Sequence, residues 1–265
     1  MRIGVMQGRL VPPEGGRFQS FPRLRWRDEF ALAKEADVDY IEWIVDSDLT
    51  NPIFSLEGRL EMMALAFRNQ ISIPAICADW LMEHPLRDSF SLWKKKLYGL
   101  MCAAGEVGAK RIIVPFVDNS SIATREDKHL MIKALEWIAL MDIEIHIETD
   151  LLPDRLARLL ARLPNIKANW DSGNSSGRGY VAGEEFAAYG HRIGSIHIKD
   201  RYRLPDGSVE TRPLGEGSAD FDDVFKSIKS IGYDGDLTLQ VARGVDGDEV
   251  NWIRKQADFV RERIT

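Results

Sequence analysis

The regular alternation of short apolar segments with longer amphipathic segments constrains the fold of this chain more than any other feature. Eight short runs rich in Ile and Val are each followed by a stretch with helical periodicity, which predicts eight βα units. The predicted strands are residues 3–8, 40–44, 71–77, 111–117, 143–148, 166–171, 193–199 and 236–242. The predicted helices are residues 26–36, 56–69, 92–107, 126–141, 153–163, 184–189, 221–231 and 249–263.

The number of units and the length of the chain together favour one closed barrel. Parallel strands joined by helical crossovers form either an open doubly wound sheet or a barrel. The chain has 265 residues, and a (β/α)8 barrel of about 250 residues is a single domain. We therefore predict an α/β fold, a single (β/α)8 TIM barrel domain over residues 1–265. Two Gly-rich stretches, 171–179 and 205–219, are predicted loops, with Ser218 or Asp220 capping the helix that follows.

Charge, cysteine content and hydropathy exclude several classes of protein. The formal net charge of -6 provides no general attraction for nucleic acid or an anionic membrane. Two cysteines, Cys77 and Cys102, are too few for a disulfide scaffold. No apolar stretch has the length of a signal peptide or a membrane span. We expect a cytoplasmic protein with no nucleic-acid or membrane partner, and leave open whether it forms a homo-oligomer.

The active site of such a barrel lies at the carboxyl ends of the strands, so the inward side chains at those ends are candidates for chemistry. In the fifth predicted strand isoleucines alternate with polar residues, which directs Glu148 into the barrel. The same alternation directs Asp171, His197 and Gln240 inward from the next three strands. Lys199 shares the inward parity of His197. Four consecutive strands therefore carry inward polar side chains near their carboxyl ends.

This set of side chains suits a divalent cation. Carboxylate, imidazole and amide groups from neighbouring strands form a mixed oxygen and nitrogen site for which Mn²⁺, Mg²⁺, Co²⁺ or Zn²⁺ is suitable. The alternative is a hydrogen-bonded barrel interior without a metal. Burial of Glu and Asp without a cation or hydrogen-bond donors is costly, so matched depth in four strands favours the cation.

Several segments resemble the xylose isomerase-like TIM barrel superfamily of sugar phosphate isomerases and epimerases. They are IHIETD, NWDSGN, SIHIKD and PLGEGSADF, and the resemblance extends to the opening GVMQGRL and to ICADWLMEHPL. In that family one metal ion is held by Glu, Asp, His and Glu at the ends of strands five to eight. The resemblance implies these roles for Glu148, Asp171 and His197, while the fourth position is Gln240.

Two positions depart from the family pattern and one matches it. Gln240 can offer an oxygen to a metal but cannot accept a proton at neutral pH, so epimerisation by two glutamates on opposite faces of the sugar is in doubt. Asn174 occupies a position where the family often has a substrate-binding histidine. Arg203, six residues after His197, matches a position where the family often has a substrate-binding arginine.

The resemblance implies proton abstraction beside a carbonyl, through an enediolate stabilised by the metal. The substrate would be a small sugar, a sugar phosphate or a polyol, and the enzyme an isomerase or epimerase. Glu148 would be the base. The proton could return from Glu148, which gives isomerisation, or from Lys199 or water, which gives epimerisation or elimination. Lys199 could also serve only to balance the nearby carboxylates.

Further residues near the predicted strand ends are candidates for substrate contacts. Glu42 points inward from the second strand, where it either binds a substrate hydroxyl or pairs with a barrel lysine such as Lys167. Asp79 and Trp80 follow the third strand and could supply a polar contact and an aromatic wall for a sugar. Arg9, after the first strand, could contact a phosphate or carboxylate.

Three other functions are alternatives to an isomerase or epimerase. A dehydratase of the same superfamily needs the same metal but only one good base, so it tolerates Gln240. A barrel with impaired catalysis could retain sugar binding alone. A zinc-cluster endonuclease needs many histidines, whereas this chain has five, so the nuclease is disfavoured.

Overall fold

Eight parallel strands close into a barrel in the computed structural model, which describes residues 1–46 and 50–264. Each strand pairs with its predecessor and successor around the ring, and the last closes on the first. The barrel strands are β1 Arg2–Met6, β2 Tyr40–Ile44, β3 Ala75–Cys77, β4 Arg111–Phe116, β5 Glu144–Thr149, β6 Ile166–Asp171, β7 Ile193–Ile198 and β10 Asp236–Leu239. An antiparallel hairpin, β8 Asp200–Arg203 and β9 Val209–Arg212, lies outside the barrel. The predicted (β/α)8 barrel is confirmed.

Helices connect successive strands and surround the barrel. They are α1 Asp28–Glu35, α2 Leu56–Asn69, α3 Trp80–Glu83, α4 Phe90–Glu106, α5 Arg125–Ile138, α6 Pro153–Arg162, α7 Ser172–Arg178, α8 Ala182–Tyr189, α9 Phe221–Ser230 and α10 Glu249–Ile264. Asp220 caps α9 by accepting hydrogen bonds from two backbone amides, as predicted. None of the described helices is both long and apolar enough to cross a lipid bilayer.

The core fills the layer between the barrel and these helices. Trp43 of β2 packs against Phe30 of α1, with ring centroids 6.1 Å apart. Trp170 of β6 contacts Phe186 of α8 edge to face at 4.9 Å. Outward side chains of the strands are thus committed to packing, and inward side chains are available for polar contacts.

Three local predictions were wrong. The third strand is shorter than residues 71–77, because Pro74 has no amide hydrogen to donate to a neighbouring strand. Residues 171–179 are mostly helical: Asp171 caps α7 by accepting the Asn174 amide, and α7 ends at Gly179, whose φ is +78°. Residues 205–219 contain β9 as well as loop.

A network of ion pairs closes the amino end of the barrel. Both oxygens of Asp236 accept hydrogen bonds from Arg2, at 2.8 and 2.9 Å. One of them also accepts from Arg111 at 2.6 Å. The Tyr40 hydroxyl forms a 2.9 Å hydrogen bond with Thr238. The carboxylate at this end of the barrel is therefore neutralised by the chain itself.

Candidate active site and metal centre

The strand parity expected from the sequence is confirmed by a polar chain across the barrel interior. Asn169 donates a 2.9 Å hydrogen bond to Glu148. Ser195 donates to Asn169 at 2.6 Å and lies 2.8 Å from Nδ1 of His146. His146 also contacts Glu144, so it is a core histidine with partners on both ring nitrogens. These residues support the site from the barrel interior.

Glu148, Asp171 and His197 converge at the carboxyl end of the barrel. One ligand atom from each lies within 4.8 Å of the other two, and all three residues are buried. Nδ1 of His197 is 3.3 Å from Oε2 of Glu148 and 3.9 Å from Oδ2 of Asp171. Among the described residues, neither His197 Nδ1 nor Asp171 Oδ2 has a hydrogen-bond partner. Buried polar atoms without hydrogen-bond partners are costly, and these two can offer lone pairs to a divalent cation once His197 has lost its proton from Nδ1. The donor set therefore fits such an ion.

Glu42 holds the far side of the His197 ring. Its Oε1 is 2.8 Å from His197 Nε2, and its Oε2 accepts a 3.0 Å hydrogen bond from Thr238. This contact directs Nδ1 toward Glu148 and Asp171, as is usual for a histidine that binds a metal. The alternative pairing of Glu42 with Lys167 is wrong, because Lys167 pairs with Glu144.

The charges around His197 set its protonation before any ion binds. Burial alone lowers the pKa of His197, but the carboxylates of Glu42 and Glu148 raise it to about 10. The ring is therefore a proton-carrying counterion of the two glutamates. A cation that takes Nδ1 must displace this proton.

Lys199 and Gln240 lie beside the triad. Nζ of Lys199 donates a 2.9 Å hydrogen bond to the amide oxygen of Gln240 and is 3.9 Å from Asp171 Oδ2. Burial lowers the pKa of Lys199, and the charge of Asp171 opposes that shift. A Cβ on Gly173 would lie 2.7 Å from Cγ of Lys199, so the glycine gives the lysine stem room to reach the site.

Gln19 was not identified from the sequence, although it connects three strand ends. Its amide oxygen accepts 3.1 Å hydrogen bonds from Arg9 and from Gln240. Its amide nitrogen donates to Asp79 at 2.7 Å. Burial raises the pKa of Asp79 to about 7. Arg9 also donates to the carbonyls of residues 18 and 241, so its guanidinium is tied to the loop that carries Gln19.

The other predicted substrate contacts lie at different distances from the triad. Asn174 is close: it donates from its side chain to Glu148 at 2.5 Å and from its backbone to Asp171 at 2.7 Å. Trp80 is buried at the start of α3 beneath Lys96. Arg203 is exposed on β8, where its amide donates to Ser218.

Asp200 joins two of the segments noted in the sequence, SIHIKD and PLGEGSADF. Its carboxylate accepts hydrogen bonds from the amides of Gly215, Gly217 and Ala219, at 3.0, 2.8 and 3.1 Å. A Cβ on Gly217 would collide with this carboxylate. Asp200 at the start of the β8–β9 hairpin is therefore tied to residues 215–219, which follow the hairpin.

The fold and the converging triad define the class as a (β/α)8 barrel with a candidate cation site at the carboxyl ends of β5, β6 and β7. The family model described as xylose isomerase-like TIM barrel matches residues 30–263. The chain belongs to this family, and the resemblance seen in the sequence is confirmed.

Known relatives agree with this assignment. The chain is 23% identical over 259 residues to L-ribulose-5-phosphate 3-epimerase UlaE of Escherichia coli strain SMS-3-5, with 90% of each chain covered. A xylose isomerase-like TIM barrel protein from Mycobacterium smegmatis, solved in complex with magnesium, matches with a TM-score of 0.75 and 16% identity, over 100% of this chain and 97% of that one. A D-allulose 3-epimerase from Methylomonas sp. matches with a TM-score of 0.71 and 17% identity, over 99% of this chain and 98% of that one.

Proposed function

We propose that this protein is a divalent-metal-dependent epimerase or isomerase of a small sugar or sugar phosphate, which removes a proton beside the substrate carbonyl. The observation that carries the proposal is the convergence of Glu148 with two buried atoms, His197 Nδ1 and Asp171 Oδ2, that have no hydrogen-bond partner among the described residues. The curated relatives, which are L-ribulose-5-phosphate 3-epimerases, support the substrate class. The net charge of -6 argues against a nucleic-acid partner, and we propose a cytoplasmic location.

Glu148, Asp171 and His197 would hold the ion, whose identity we leave among Mn²⁺, Mg²⁺, Co²⁺ and Zn²⁺. When bound, such an ion acts as a Lewis acid that stabilises negative charge on the substrate carbonyl oxygen. The amide oxygen of Gln240 is the fourth candidate ligand, and it accepts a hydrogen bond from Lys199. Glu42 would act through His197, by keeping Nδ1 directed at the ion.

Glu148 is the residue that would remove the proton. Burial alone raises the pKa of this carboxyl group, but His197 and Lys199 outweigh burial and lower it. The carboxylate is therefore ionised at neutral pH and able to accept a proton. Asn174 and Asn169 each donate to one of its oxygens, which fixes the orientation of the carboxylate.

Lys199 would return the proton on the other face, in place of the glutamate that the family pattern has at position 240. Its ammonium is buried, and burial lowers its pKa, which makes the proton easier to release. If Glu148 and Lys199 act on opposite faces of the sugar, the reaction is an epimerisation. If Glu148 alone removes and returns the proton, the reaction is an isomerisation. Arg9, Trp80 and Arg203 remain predicted substrate contacts.

The test is proton exchange with solvent. Ketoses and their phosphates are incubated with the protein in D₂O, with Mn²⁺ or with EDTA, and deuterium at the carbon beside the carbonyl is followed by ¹H NMR. We expect exchange that requires Mn²⁺. A protein that binds Mn²⁺ but produces a dehydrated product would be a dehydratase. A protein that binds a sugar without any exchange would be a binding barrel, and either result would overturn the proposal.

A further inference from the structure

A groove lies between helices α5 and α6, on the outside of the barrel. It encloses about 510 Å³, and small-molecule sites usually enclose about 300–1,000 Å³. Its lining comes from α5, from α6 and from the loops that precede them, and includes none of Glu148, Asp171 and His197. We call this feature the α5–α6 groove.

The rim of the α5–α6 groove is cationic. On α6, Arg155, Arg158 and Arg162 are spaced by three and four positions, so they share one face of the helix. On α5, Arg125 and Lys128 are spaced by three positions. All five side chains line the groove, and all five residues are exposed. Two neighbouring helices thus bring their positive charges to one groove.

Acidic side chains do not balance this charge. None of the lining residues is acidic. Of the five cations, only Arg158 forms an ion pair among the described residues, with Asp154 at 2.7 Å. Asp127 caps α5, and Glu126 lies outside the lining. The other four cations of the groove therefore remain without a carboxylate partner in the described part of a chain whose net charge is -6.

The floor of the α5–α6 groove is apolar. Met131 and Leu159 are buried, and Ile122, Ile132 and Leu151 are half-buried. Covering such a floor with an apolar group is favourable. The groove therefore combines an apolar floor with a positively charged rim.

We propose that the α5–α6 groove binds a small polyanion that carries a flat ring, which is the chemistry of a nucleoside di- or triphosphate. The phosphates would lie between the arginines of α6 and the basic side chains of α5, and the ring would lie on the apolar floor. Guanidinium groups bind phosphate oxygens through paired hydrogen bonds, and several of them in one groove favour a ligand with several negative charges. The groove is separate from the triad, so the proposal does not depend on the proposed function.

The depth of the apolar residues favours a small molecule over an anionic membrane. A helix that binds a membrane surface inserts an exposed apolar face among the lipids. Here Met131 and Leu159 are buried while the cations around them are exposed. A flat lipid surface would meet the cations alone, whereas a small ligand can enter between the helices and reach both.

The first test is the binding of three probes, ATP, inorganic triphosphate and adenosine, by isothermal titration calorimetry in the presence of EDTA. EDTA removes metal ions that could bridge phosphates to the triad. We expect ATP to bind more tightly than triphosphate, which lacks the ring, and more tightly than adenosine, which lacks the charge. Absence of ATP binding, or triphosphate binding as tight as that of ATP, would overturn the proposal.

The second test removes two of the arginines. Arg155→Ala and Arg162→Ala are combined, and we expect the dissociation constant for ATP to rise about 100-fold, because each charged donor contributes roughly tenfold. The matched control combines Arg68→Ala with Lys226→Ala, which removes two exposed cations elsewhere and should leave ATP binding unchanged. Equal losses in the two double variants, or no loss in the first, would exclude the groove as the site.

The third test locates the ligand by the reactivity of lysines toward an acetylating reagent, read by mass spectrometry. Lys128 lines the groove, whereas Lys133, which is exposed on the same helix, does not. We expect ATP to slow the acetylation of Lys128 and to leave that of Lys133 unchanged. Equal effects on both lysines would contradict the proposal. Protection of Lys128 by vesicles of an anionic phospholipid, but not by ATP, would assign the groove to a membrane instead.

Discussion

At the amino end of the barrel, Asp236 receives hydrogen bonds from Arg2 and Arg111. At the carboxyl end, one buried oxygen of Asp171 has no hydrogen-bond partner among the described residues and lies 3.9 Å from both His197 and Lys199. Both carboxylates lie on barrel strands, but only the first has its charge balanced by arginines of the chain. The carboxyl end is the one where barrels of this fold perform chemistry. Stability and the candidate site are thus assigned to opposite ends of the same barrel.

The largest expected effect is on turnover, from a substitution at the carboxyl end. Glu148→Gln removes the base but keeps an oxygen that can accept a hydrogen bond, so we expect kcat to fall by about 10³-fold with the fold retained. The measurement is steady-state turnover of the ketose identified by deuterium exchange, with circular dichroism for the fold. The control is Glu144→Gln, on the same strand at the opposite end of the barrel, and it should keep kcat within about twofold. Normal turnover in Glu148→Gln would exclude Glu148 as the base.

The largest expected effect on stability comes from the amino end. Asp236→Ala leaves the buried Arg111 without its carboxylate, so we expect the free energy of unfolding to fall by about 3 kcal/mol. Urea denaturation measures this change, and Mn²⁺ affinity should be unaffected.

The difference in the free energy of unfolding between the wild type and Asp236→Ala should also depend on pH. The hydrogen bonds from Arg2 and Arg111 outweigh burial and lower the pKa of Asp236 from its usual 3.8. The contribution is therefore fully present above pH 3.8 and is lost as pH falls through the lower folded-state pKa. A difference between wild type and Asp236→Ala that grows as pH falls would contradict this account.

A smaller effect is expected from adding a carboxylate to the carboxyl end. Gln240→Glu restores the family pattern and adds negative charge beside Asp171, so we expect Mn²⁺ to bind about tenfold more tightly. Isothermal titration calorimetry measures the affinity, with Gln70→Glu as a control for the same charge change on the surface. Unchanged affinity in Gln240→Glu would show that residue 240 lies outside the ion's coordination sphere.

The smallest change in stability is expected from a substitution of Asp171 at the carboxyl end of the barrel. Asp171→Asn keeps the oxygen that caps α7, so we expect the ion-free free energy of unfolding to change by less than about 1 kcal/mol. The rise in Tm caused by Mn²⁺ should disappear. If Asp171→Asn destabilised the ion-free protein as much as Asp236→Ala, the division between a stabilising and a functional end would be wrong.

The sequence predicts the barrel and the triad for the same physical reason. Side chains alternate across a strand with a period of two, so the isoleucines that pack on the helices determine which residues point inward. This is how Glu148, Asp171 and His197 could be identified before the structure was known. Their common depth follows from the strands all ending at one face of the barrel.

Structural features that the sequence patterns did not predict depend mostly on contacts between segments that are distant in the chain. Gln19 lies in a loop without periodicity, and its role depends on its contacts with Arg9, Asp79 and Gln240. Glu42 was predicted to point inward, but its pairing with His197 depends on strand positions 155 residues apart. Helix α7 was missed because its Ser- and Gly-rich composition is typical of a loop, while a single cap at Asp171 makes it helical.

The anchoring of Asp200 to residues 215–219 makes the intervening hairpin an exchangeable module. Because one carboxylate holds both of its ends, segments of different length and sequence between residues 204 and 213 can be accommodated without moving His197 or Lys199. The rim of the barrel can therefore vary in sequence while Glu148, Asp171 and His197 keep their positions. For protein engineering, the hairpin offers a graft point where libraries of loops can be tested beside one constant candidate metal site.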